Sequence, residues 1–188
     1  MQFATTSSAE EVMELVQEQH RDLKQLLEAV TKTAGAERSA TFSTLRRYLA
    51  VHEAVEESFI HPVGEQELAD PDVARERVDE EDDAGEVMTT LEGLDPGSAD
   101  FEQTLGELAE AVTSHAEAEE TEELPALLAA ADDAALGQMA QGLEYVAELV
   151  MQPGSPLGRG DTSPFLVILD SAKEELGQLA EHRNDSPG

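Results

Sequence analysis

Two stretches of the chain carry the same run of chemistry-bearing residues. His52-Glu53-Ala54-Val55-Glu56-Glu57 leads to Pro62, and His115-Ala116-Glu117-Ala118-Glu119-Glu120 leads to Pro125. Both read His-x-x-x-Glu-Glu, with a proline ten residues after the histidine. A spacing of four stacks imidazole and carboxylate on one helical face. In both copies that face is also the apolar one, shared with Leu45, Leu49 and Phe59 or with Leu105, Leu108 and Val112. A carboxylate aimed into an apolar interior is costly unless it is paired or bound to a metal. His20 lies on a third apolar stripe, with Val12 or Met13, Val16, Leu23, Leu27 and Val30. Three imidazoles and the carboxylates of Glu56 and Glu119 therefore reach similar depth. Imidazole suits Fe, Zn, Cu and Ni, and bridging carboxylates suit pairs of Fe or Mn. A helical bundle lined in this way can hold two metals. Taken singly, His20 fits a boundary histidine and one His-x-x-x-Glu fits a surface pair. Two copies in phase with the apolar stripe favour a metal site.

The elements that must position these residues are all helical. Apolar residues recur at steps of three and four, and alternating β-branched runs are absent. The first helix starts after Ser8, with Glu10 and Glu11 in its first turn, and ends near Gly35. The second runs from about Ala40 to Ile60, where Pro62 and Gly64 are expected to close it. A third covers about 71–93, opening at Asp70-Pro71, with Val78, Ala84, Val87, Met88, Leu91 and Leu94 on its apolar side. The fourth runs from Asp100 to about Leu124. A fifth is expected near 132–151, followed by a Pro/Gly-rich linker from Gln152 to Pro164. The last, about 165–182, begins with an apolar stretch, Phe165 to Leu169, suited to docking. His182 falls in the polar tail and is expected to be solvated. His20 is followed by apolar residues at +3, +6, +7 and +10, and Glu81 has the same pattern. The chain thus reads as a duplicated helical hairpin: residues 1–151 as an up-down four-helix bundle with one added helix, residues 152–188 as linker and extension.

Composition narrows the function. The chain has 188 residues, no cysteine, 11 Lys+Arg and 42 Asp+Glu, for a formal net charge of -31. Thiolate chemistry is excluded, and a phosphate-binding basic surface is lacking, which disfavours nucleic acid and anionic membranes. No secretory pattern or apolar run of membrane-spanning length is visible, so a cytoplasmic protein is expected. The first 50 residues carry 6 basic and 7 acidic side chains, and the remainder 5 and 35. Such a surface repels itself at low salt, which favours a monomer and suggests a salt-tolerant source.

At the two His-x-x-x-Glu-Glu…Pro stretches the chain resembles the hemerythrin-like (HHE cation-binding) family, over about residues 9–130. The tail from Pro164 resembles the extension of some bacterial, especially actinobacterial, members. The resemblance implies a hemerythrin-like four-helix bundle around a non-haem di-iron centre that handles O₂, peroxide or nitric oxide. It implies that Glu56 and Glu119 bridge the metals, that His20 and His52 hold one iron, and that His115 helps hold the other. Where the family has a third-helix histidine, this chain has Asp79-Glu80-Glu81-Asp82-Asp83. The repeat register puts Glu81 there, with Asp82 beside it. Glu81 could ligate, favouring ferric iron or Mn²⁺, weaken the second position, leave a single metal, or face solvent. His61 replaces an aromatic residue common before the proline. It stands about 180° from His52 on an ideal helix, yet could approach the site where the helix ends. Glu57 and Glu120 lie off the stripe and read as rim carboxylates. Iron or manganese buffering without turnover, and a metal-depleted structural bundle, are the competing readings.

Overall fold

A computed structural model of the chain describes residues 8–151 and 163–184. Residues 152–162 of the expected linker therefore lie outside the described residues, and so does the side chain of His182. The described residues form helices and turns without a strand. Helix α1, Ala9–Lys32, starts at a capping box: the Ser8 hydroxyl accepts from the Glu11 amide at 3.1 Å, and the Glu11 carboxylate accepts from the Ser8 amide at 3.3 Å. Helix α2, Gly35–Val55, begins at a glycine with φ of 57°, a conformation that a side chain would strain. It is antiparallel to α1 across a two-residue turn. Helix α4, Asp72–Glu92, and α5, Ala99–Ala118, form the second hairpin. Ser98 caps α5 by accepting from the Phe101 amide.

Arg38 fixes how the hairpins sit together. Its side chain donates to the Thr33 carbonyl at 2.7 Å in the first turn, and to the Pro96 carbonyl at 2.9 Å in the second. Both turns therefore lie at one end of the bundle. Phe42 of α2 and Phe101 of α5 pack edge to face just inside that end, with ring centroids 5.1 Å apart. The buried stripes of α1, α2, α4 and α5 form one core, to which Leu23, Leu45, Met88 and Leu108 each contribute a side chain almost wholly removed from water.

The structure corrects the expected end of the second helix. After Val55 the chain makes a π-helical turn, Glu56–Ile60, and continues as α3, His61–Glu67. The second hairpin repeats this with a π turn at Glu119–Glu123 and α6, Leu124–Ala130. Pro62 and Pro125 each occupy the first turn after the wide segment, where the missing N–H breaks no regular helical ladder. Gly64 sits inside α3 for a spatial reason: a Cβ there would stand 2.8 Å from Glu123 Oε1 and 3.0 Å from the Ala74 methyl.

Helix α7, Asp133–Met151, covers α1 and α2 with Leu136, Met139, Leu143 and Val146. Helix α8, Pro164–Asn184, lies on α2 and α4. Its expected apolar start does dock, with Phe165, Ile168 and Leu169 buried and Leu166 left exposed. Glu92 anchors it, accepting from the Phe165 amide at 2.8 Å and from the Ser163 hydroxyl while pairing with Arg46. No helix among the described residues is long and apolar enough to cross a membrane.

Candidate metal centre

The site assembles at mid-bundle from all four long helices. His20 comes from α1, His52 from α2, Glu81 from α4 and His115 from α5, while the π turns bring Glu56 and Glu119. His61 follows the first π turn. All seven are buried, with Glu56 and Glu119 at 0% exposure. Glu81 is 4% exposed, which removes the possibility that it faces solvent within the acidic run. Asp82, its neighbour, is exposed. The phase of α4 makes the selection: Ala74, Arg77, Glu81, Ala84, Met88 and Leu91 form its inward stripe, and Val78 is only half-buried.

His61 reaches the site because the π turn holds one extra residue. The nine-residue step from His52 then rotates about as far as eight α-helical residues, leaving roughly 80° in place of the ideal 180°. His61 Nε2 lies 3.0 Å from Glu81 Oε1.

Each imidazole points Nε2 inward and Nδ1 at a supporting acceptor. His20 Nε2 is 3.2 Å from Glu119 Oε2 and 3.8 Å from Glu56 Oε1, and its Nδ1 donates to Glu120 at 2.8 Å. His52 Nε2 is 3.2 Å from Glu56 Oε2, and its Nδ1 donates to the Gln19 side-chain carbonyl at 3.0 Å. His61 Nδ1 donates to Glu123 at 3.3 Å. His115 Nε2 is 3.8 Å from Glu81 Oε1, and its Nδ1 donates to Glu80 at 3.1 Å. The supports are themselves held. Gln19 donates to the Leu143 carbonyl of α7, Gln17 to Glu120, and Arg77 pairs with Glu80. This orientation, with one ring nitrogen fixed by a support and the other turned toward the buried carboxylates, is how proteins prepare histidines for metals.

The inward atoms are short of partners. His20 Nε2, His115 Nε2, both oxygens of Glu56 and of Glu119, and Glu81 Oε2 are buried without a hydrogen bond. Three groups have ligand atoms within 4.8 Å of one another, close enough to share an ion: His20, His52 and Glu56; Glu56, His115 and Glu119; and Glu56, His61 and Glu81. Glu56 belongs to all three. The donor set, imidazole nitrogen plus carboxylate oxygen, fits iron or manganese.

Burial and mutual charge shift the titration of the cluster. Burial, joined by the Glu119 and Glu81 charges, drives the Glu56 carboxyl well above its usual range. Burial lowers His52, and lowers His115 to about 4. For His20 and His61 burial also lowers the pKa. It is outweighed by Glu119 and Glu120 at His20, and by Glu81 and Glu123 at His61, so both end raised.

Residues 11–127 match the family model of the hemerythrin HHE cation-binding domain, well over half of the chain. The chain belongs to that family. Comparison with curated proteins and with solved structures gives no significant match.

Sequence reading missed the supports. Glu120 is on the rim as expected, at 25% side-chain exposure, yet it orients His20. The doubled glutamate of the motif was a usable signal for it. Glu57 pairs with Lys173 of α8. Gln19, Glu80 and Glu123 carry no spacing signal, because the helices that bring them to their histidines meet only in the fold.

Proposed function

We propose that this cluster holds two non-haem iron ions and handles a small oxidant or nitric oxide. Glu56 and Glu119 would serve both ions, His20 and His52 would hold one, and His115, His61 and Glu81 would hold the other. The observation that carries the reading is the set of buried, hydrogen-bond-free Nε2 and carboxylate atoms converging on one region. When bound, the pair supplies redox change and a coordination position for O₂, peroxide or nitric oxide. The chain's own residues set the conditions. Leu23, Leu49, Ala84 and Val112 wall an inner cavity of about 10 Å³, room for roughly one water-sized molecule. Gln19, Glu80, Glu120 and Glu123 hold the rings in place. Glu81 adds a third carboxylate, which favours the oxidised state and admits manganese as a hard alternative.

The test is to expose iron-loaded protein to hydrogen peroxide in an oxygen electrode, with the Glu56→Gln variant as control. Peroxide loss with O₂ release by the wild type alone identifies turnover. A reversible spectral response to O₂ or nitric oxide without consumption identifies carriage or sensing. Iron or manganese buffering is the second reading, favoured by the carboxylate-rich approach to the site, and predicts neither response.

A further inference from the structure

Beside the centre, a second and larger cavity of about 480 Å³ opens between α2, α4 and α8. Its carboxylates are graded by depth. Asp82 and Glu86 are exposed at the mouth, Glu57 is half-buried, and Glu53 is 3% exposed at the inner end. Glu53 and Glu81 line this cleft and the inner cavity alike, so the two adjoin at these residues. Glu53 has no hydrogen-bond or ion-pair partner among the described residues, although it is almost wholly removed from water. No basic side chain lines the cleft; Lys173 stands at its edge, on Glu57. The wall opposite the acids is apolar, made by Phe165, Leu166 and Leu169 of α8.

An acidic surface is ordinary in a chain of this charge, but an unpartnered carboxylate buried at the bottom of a cleft is not. Its desolvation opposes folding, the neighbouring Glu81, Glu57 and Asp82 charges add to it, and the Lys173 charge offsets it only in part. An anion would be repelled along the whole length, and O₂ would gain nothing from carboxylates. A hydrated divalent cation would be attracted at the mouth and could exchange water for carboxylate oxygen stepwise inward. Glu53, Glu57 and Asp82 do not come together closely enough to count among the metal-holding groups, which fits passage better than retention.

We propose that the α2–α4–α8 cleft is the loading route for divalent metal ions, with Glu53 as the transfer carboxylate that hands the ion to Glu81. The proposal rests on the metal-centre reading above. It gives α8 a role as the apolar wall that makes the route a channel.

The test is the rate at which metal-free full-length protein takes up Co²⁺, followed by absorbance in stopped flow, together with the final stoichiometry. Glu53→Gln is expected to load at least tenfold more slowly while reaching wild-type stoichiometry, and to melt no lower than wild type. Asp82→Asn combined with Glu86→Gln is expected to slow loading severalfold and flatten its ionic-strength dependence. Glu110→Gln, on the exposed face of α5 and outside both cavities, should load at the wild-type rate. Loading of Glu53→Gln within twofold of wild type, or equal slowing by Glu110→Gln, would overturn the route. So would reduced stoichiometry in Glu53→Gln, which would make Glu53 part of the centre. A wild type that takes up no Co²⁺ would sink the metal-centre reading, and the route with it.

Discussion

At position 81 the second hairpin carries a carboxylate where the first carries His20. At position 61 the first carries an imidazole where the second carries Leu124. The two departures meet: His61 and Glu81 lie 3.0 Å apart. The set therefore keeps four imidazoles and gains a carboxylate, and the halves of the centre are unlike. Because Glu56 belongs to all three metal-holding groups, Glu56→Gln should lose all bound metal. His61→Leu should lose one ion and keep the other. Elemental analysis of both variants checks this, and equal losses would contradict the assignment of His61 to one ion. Much of this was legible in the sequence: the duplicated motif and His20 marked five of the seven residues. Glu81 was ambiguous because its neighbours are also acids, and only the phase of α4 separates it from exposed Asp79, Asp82 and Asp83.

The π turns were the least legible elements. Prolines at 62 and 125 read as helix ends, and periodicity alone cannot reveal that one extra residue has been taken into a helix. The consequence is a change of phase that aims His61 inward and lets Glu123 reach it beside Gly64. Deleting Ser58, whose hydroxyl donates to the Ala54 carbonyl, should turn the π turn into regular α-helix and leave His61 at its present phase, because eight α-helical residues rotate as far as the nine now do. Metal content should stay near wild type while far-ultraviolet circular dichroism stays helical, and a loss like that in His61→Leu would contradict the phase argument. The α8 docking, by contrast, was readable from the run Phe165 to Leu169. Phe165 is buried against Gly85, its ring 3.2 Å from where a Cβ would stand. Phe165→Ala should cost about 3–5 kcal/mol in denaturant unfolding, without changing metal stoichiometry.

Across the whole molecule, charge and metal act together on stability. Without metal, raised pKa values at His20 and His61 mean that the folded chain holds protons which the unfolded chain releases above about pH 6.5. Their stabilisation is fully present below that value and is lost as pH rises through the folded-state pKa. Glu56, raised from 4.5, acts in the same direction. His52 and His115, both lowered, oppose this slope only within about one unit of pH 6.5 and below, where the unfolded rings take up protons. Metal-free protein should therefore melt progressively lower from pH 6.5 upward, and saturating metal should remove most of that slope. The net charge of -31 adds self-repulsion, so the melting temperature should also rise with added NaCl. A flat response would mean that these acids are too well solvated to matter.

The most direct measurement is the metal content per chain of protein purified without chelator, combined with its melting temperature before and after chelation. Two iron or manganese ions per chain, and a melting temperature that falls when they are stripped and recovers when they return, is the expected result. A chain that stays folded at the same melting temperature while binding no metal, even with ferrous or manganous ion in excess, would contradict it.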